Sequence, residues 1–154
     1  MNIKNYDKKD IYYMTVALLT ARNSTCSRLA TGTVLVSDKG RIISTGHNGV
    51  MTGLAHCQEI NKEKKTPCRC VHSEQNSIVH CPEPFTSWKK AYVTDTPCYS
   101  CMKLLLSYHV KEIYYFRRYR ADQDSFKLAK EANIKMVHVP EYFQIEVPHK
   151  NWDK

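Results

Sequence analysis

A chain of 154 residues fits one domain and is long enough to bury a core without disulfide staples. Its 23 Lys and Arg against 15 Asp and Glu give a formal charge of +8, which favours anionic partners, whether small phosphates or polynucleotides; the basic residues are scattered, however, and a solvated charged face explains them as well. Seven cysteines behind a polar, leaderless start argue against a disulfide framework and for metal ligation or burial in a reducing cytoplasm, and no apolar run is long enough for a membrane span.

Residues 9–22 carry Ile11, Met14 and Leu18 at helical spacing. Two β-rich runs, 30–36 and 42–46, flank Ser37-Asp38-Lys39-Gly40, a hairpin signal. Residues 52–71 are polar and aperiodic, a length of loop that is uncommon unless functional or pinned; they hold His56, Cys57, Cys68 and Cys70, so a metal is one way to pin them. A short helix is expected over 72–80 and a strand over 91–94 that runs into Pro97. Cys98, Cys101, Leu104, Leu105 and Tyr108 then recur on one side of a helix, which puts both cysteines in its first turn, where thiolate is favoured. A strand over 112–116, a helix over 122–133 and a strand over 134–139 complete the pattern. Strand and helix alternating after a hairpin predict an α/β domain of three α/β/α layers around a mixed, roughly five-stranded sheet, covering 1–154 as a single domain with a C-terminal tail at 140–154.

Two strings carry chemistry: His72-Ser73-Glu74, and Pro97-Cys98-Tyr99-Ser100-Cys101, which begins its cysteine pair 26 positions later (98 minus 72). His72, Cys98 and Cys101 are three good zinc ligands, which leave a fourth position for water, and zinc lowers the pKa of such a water from 15.7 to roughly 7. Glu74 is then free to take that proton and deliver it to a ring and a departing amine. His-x-Glu followed by Pro-Cys-x-x-Cys is the signature of zinc deaminases. The competing reading is a closed structural zinc site with Cys70 or Cys81 as fourth ligand, which has no use for the glutamate.

From these residues outward, over roughly 17–139, the chain resembles the deoxycytidylate (dCMP) deaminases of the cytidine deaminase-like superfamily. Ser24-Thr25-Cys26-Ser27-Arg28 is similar to the family's Ser-Thr-Cys-x-Arg. Gly40 to Gly49, Gly-Arg-Ile-Ile-Ser-Thr-Gly-His-Asn-Gly, differs from the family's segment at His47, where tyrosine is usual. His72 to Ile78 resembles His-Ala-Glu-Gln-Asn-Ala-Ile, with Ser73 in place of alanine. Asp95-Thr96 stands before Pro97 where many relatives have His-Glu.

The resemblance implies zinc-dependent hydrolysis of dCMP to dUMP and ammonia, supplying thymidylate synthesis, by a cytoplasmic homo-oligomer, commonly a hexamer. It implies Asn48, with Ser24 nearby, as a sugar contact and Arg28 as a phosphate ligand, with Tyr119 or Arg120 closing over the nucleotide. It also implies a second zinc held by Cys26, Cys57 and Cys68, with Cys70 or His56 as fourth ligand, and regulation by dCTP or dTTP carried with Mg2+. His47 leaves a modified cytosine nucleotide open as substrate. The alternatives are a deaminase of a base in tRNA or single-stranded DNA, which would use the charge, and a non-catalytic zinc-stabilised protein.

Overall fold

A computed structural model describes residues 4–56, 68–84, 87–120 and 122–145. Helix α1 (Lys8–Ala21) starts at Asp7, whose carboxylate accepts from the N–H groups of Lys9 (2.7 Å) and Asp10 (3.0 Å), while Asp10 accepts in return from Asp7 N–H at 2.8 Å. This reciprocal cap satisfies donors that every helix start leaves over. The buried stripe of α1 is Tyr13, Met14, Ala17 and Ala21; Ile11 and Leu18 flank it, half-buried.

Strands β1 (Gly32–Ser37) and β2 (Ile42–His47) form the expected hairpin. A two-residue strand β3 (Gly49–Val50) pairs with β4 (Cys70–Val71), so the ends of the polar 52–71 segment are tied by backbone hydrogen bonds, a ladder that its sequence does not announce. Then come α2 (Ser73–Val79), β5 (Lys89–Asp95), α3 (Tyr99–Ser107), β6 (Val110–Arg117), α4 (Gln123–Glu131) and β7 (Lys135–His138).

The five long strands lie in the order β2-β1-β5-β6-β7, antiparallel from β2 to β5 and parallel from β5 to β7. Period-two alternation divides their side chains between two cores. Val34, Val36, Tyr92, Tyr114 and Val137 pack with α1 on one face. Leu35, Ala91, Val93, Ile113 and Tyr115 pack with Met102 and Leu105 of α3 and Ala129 of α4 on the other, where Ile78 of α2 also lies. The three-layer expectation holds.

One expectation fails. Leu104 is 42% exposed, whereas Cys101, Met102 and Leu105 are fully buried. Cys98 is the N-cap of α3, outside its regular turns, so the buried seam is set by the Cys101–Leu105 spacing and turns Leu104 away. Cys81 lies just beyond α2, half-buried against the second core.

Candidate active site

The site forms where β1 begins and β2 and β5 end, against the first turns of α2 and α3. Helix α2 sits unusually close to the sheet. A Cβ on Gly46 would lie 2.3 Å from Ser73 O and 2.4 Å from Ser77 N, so only glycine admits this approach. Hydrogen bonds then lock the helix in place. Ser44 Oγ donates to Ser77 O (2.6 Å), Asn76 Nδ2 donates to His47 O (2.7 Å), and the hydroxyls of Thr33 and Ser73 pair at 2.9 Å. Ser73 is therefore a fastener between α2 and β1, a role that alanine would not fill.

His72 is the N-cap residue of α2 and Cys98 that of α3. The two caps meet: Nδ1 of His72 lies 3.6 Å from Cys98 Sγ and 3.3 Å from Cys101 Sγ, and the three ligand atoms all fall within 4.8 Å of one another. Zinc–sulfur and zinc–nitrogen bonds of about 2.3 and 2.05 Å at tetrahedral angles require N···S separations of about 3.5 Å. The donor set fits zinc in type and in spacing. Contact with Cys101 and His72 pulls the Cys98 thiol down to about 4, while Cys98 and burial push Cys101 up. The Cys98 contact in turn raises His72.

Glu74 is buried beside this cluster, and burial pushes its carboxyl above the ordinary carboxylate range. Its Oε2 accepts from Ser73 Oγ at 3.2 Å. Glu74, His72 and Cys98 line a cavity of about 600 Å³ whose wall also includes Asn48, Asp95 and Thr96. Arg28, Tyr119 and Arg120 line the same cavity, as do Arg117 and Arg118.

The amide of Asn48 is nearly fully engaged. Its Oδ1 accepts from Ser24 Oγ (2.5 Å) and Thr31 N–H (2.9 Å), and its Nδ2 donates to Leu29 O (2.6 Å). Ser24 is not on the cavity wall; it stands behind Asn48 and also accepts from Cys26 N–H at 3.2 Å. Cys26 and Cys68 each contact Cys70 through their side chains, and Cys68 also contacts Arg28. All three of these cysteines line the cavity. Cys57 lies outside the described residues.

Sequence reasoning passed over Asp122, which organises the arginine-rich loop after β6. It is buried, accepts from both Nε and Nη2 of Arg118 (2.9 and 2.8 Å), and accepts from Thr96 Oγ1 at 2.8 Å; Thr96 Oγ1 accepts in turn from Tyr119 N–H at 2.7 Å. Arg118 also lies over the Phe126 ring. The one available signal was the i,i+4 spacing of Arg118 and Asp122.

Residues 7–117 match the family model described as the cytidine and deoxycytidylate deaminase zinc-binding region. The "ComE operon protein 2" of Bacillus subtilis is 32% identical over 148 residues, 93% of this chain and 77% of that protein. The deoxycytidylate deaminase of Saccharomyces cerevisiae is 30% identical over 134 residues, covering 81% of this chain but only 43% of the yeast enzyme. Among solved structures, dCMP deaminase of cyanophage S-TIM5 in complex with dCMP and dUMP superposes with a TM-score of 0.73 at 27% identity, over 83% of this chain and 94% of that one.

Proposed function

Because the chain belongs to the cytidine and deoxycytidylate deaminase family, we propose that it hydrolyses dCMP to dUMP and ammonia. The observation that carries the reading is the His72, Cys98 and Cys101 cluster, of which His72 and Cys98 share the wall of one nucleotide-sized cavity with buried Glu74. Those three side chains would hold zinc, which would supply Lewis acidity to a water molecule. Glu74 is the proton carrier. It takes a proton from the attacking water and delivers it to the pyrimidine ring nitrogen, then takes the second proton from the hydroxyl now on C4 and delivers it to the amine, which leaves as ammonia while the C4 carbonyl forms. A buried carboxyl raised above its usual range suits this exchange, because it holds a proton more readily than an exposed one.

The arginines divide by charge balance. Arg117 is paired with Asp95 (3.1 Å) and Arg118 with Asp122 (2.8 Å), whereas neither Arg28 nor Arg120 has a carboxylate partner among the described residues. Arg28 and Arg120 are therefore the phosphate ligands, with Tyr119 closing beside them and Asn48 directed at the sugar. Cys26, Cys68 and Cys70, with Cys57 or His56, form the candidate set for a second, structural zinc; the contacts of Cys26 and of Cys68 with Cys70 support that grouping. A homo-oligomer, and regulation by dCTP or dTTP with Mg2+, are part of the same proposal, and sedimentation and effector titration test them. No helix among the described residues is long and apolar enough to cross a membrane.

The experiment is ammonia release from dCMP, CMP, dCTP, deoxycytidine and oligonucleotides, with and without a chelator. Chelator-sensitive activity that is highest on dCMP supports the reading. A zinc-loaded protein inert towards dCMP, both with and without dCTP, refutes it.

A further inference from the structure

We propose that Asp95 reads the 3′-hydroxyl of the deoxyribose and thereby limits the site to nucleotides whose 3′ position is free. This rests on the dCMP reading above and adds the feature that closes the site to polynucleotides. Asp95 is the last residue of β5, three positions before Cys98, and its side chain is one-tenth exposed on the cavity wall. Its Oδ2 accepts from Arg117 Nη2 (3.1 Å) and Thr94 Oγ1 (2.9 Å). Its Oδ1 accepts nothing among the described residues, so the carboxylate is held in place with one oxygen to spare.

Asn48 is tied to the same wall. Thr31 N–H donates to Asn48 Oδ1, the adjacent Gly32 N–H donates to Thr94 Oγ1 (3.1 Å), and Thr94 Oγ1 donates to Asp95. With one amide hydrogen given to Leu29 O, Asn48 Nδ2 keeps one more to offer. A spare acceptor on Asp95 and a spare donor on Asn48 together suit a group that both donates and accepts, which describes a hydroxyl.

The chemistry of dCMP selects the hydroxyl. Apart from its phosphate, the nucleotide carries two donors: the N4 amino group and the 3′-hydroxyl. The amino group is the one that leaves, so it belongs at the metal cluster and Glu74. A phosphate is repelled by a carboxylate. The 3′-hydroxyl is what remains for Asp95. In a polynucleotide that donor is replaced by an anionic phosphodiester, which leaves Asp95 unpaired and adds like-charge repulsion.

The test compares zinc-loaded wild type, Asp95→Ala and Asp95→Asn on dCMP, 2′,3′-dideoxycytidine 5′-monophosphate and deoxycytidine 3′,5′-bisphosphate. In wild type, kcat/KM falls about 10- to 100-fold on removing the hydroxyl, the worth of one hydrogen bond to a charged acceptor, and at least as far on phosphorylating it. In Asp95→Ala, dCMP drops to the level of the dideoxy compound, so the hydroxyl no longer matters. Asp95→Asn keeps an acceptor without the charge, so it retains part of the preference for dCMP and narrows the gap to the bisphosphate. Both variants slowing dCMP and the dideoxy compound by the same factor would assign Asp95 a purely structural role and overturn the proposal. Wild type active on dCMP but indifferent to the hydroxyl overturns it too, while leaving the dCMP reading intact. A wild type inert on all three substrates instead sinks the reading beneath it.

Discussion

At the scale of single residues, Glu74 and His72 lie two positions apart, yet their proposed roles separate cleanly. Removing the carboxylate should stop proton transfer without emptying the metal cluster, because the three ligand atoms do not include it. Glu74→Gln is expected to lower kcat by about 100- to 10,000-fold while zinc content, measured by atomic emission, stays at the wild-type value. Cys101→Ser is expected to do the reverse and lose zinc first, since it breaks a ligand set whose spacing already fits tetrahedral zinc. Loss of zinc from Glu74→Gln would mean that the glutamate is a ligand and not a proton carrier.

At the scale of elements, the site depends on how closely α2 approaches β2. Gly46→Ala places a methyl group against backbone atoms of Ser73 and Ser77 and is expected to cost about 3 kcal/mol in denaturant unfolding, with weaker zinc binding because the His72 cap shifts. Gly32→Ala meets Ala17 O at 2.2 Å on the opposite face, so its cost should appear in stability and not in zinc affinity. Equal loss of zinc affinity in the two variants would contradict this division. The loop carrying Arg117 to Arg120 depends instead on Asp122, whose carboxyl is held below the usual range chiefly by Arg118 and also by Thr96. A carboxylate lowered in the folded state stabilises the protein fully above the unfolded pKa of about 3.9, and that contribution is lost as pH falls through the lower folded value. Asp122→Asn should therefore unfold more easily than wild type at neutral pH, with the gap closing below about pH 4. A gap independent of pH would show that the carboxylate charge is not what holds the loop.

The order of elements was legible because apolar periodicity separates helix from strand, and turn residues such as those at 37–40 mark the hairpin. The metal cluster was legible because its ligands come in two short strings whose helices start at the cysteine and histidine caps. The β3–β4 ladder was not, since two-residue strands carry no periodicity. Asp122 was missed because its partners, Thr96 and Tyr119, come from other elements, and only folding brings them together.

At the scale of the whole molecule, the charge of +8 invited a polynucleotide, but around the cavity much of the basic charge is internally balanced. What is left, two arginines without carboxylate partners and a carboxylate with one spare oxygen, suits a single free nucleotide better than a chain of them. The five-stranded sheet brings the ends of β1, β2 and β5 to one place, and the cavity lies there because the two capped helices start at those ends. The central claim is that this cavity hydrolyses dCMP. The most direct measurement is incubation of zinc-loaded protein with dCMP in water labelled with heavy oxygen, followed by mass spectrometry of the nucleotide. The account predicts dUMP carrying the label at O4, with ammonia released in equal amount and both lost on chelation. Unchanged dCMP, or dUMP without the label, would contradict it.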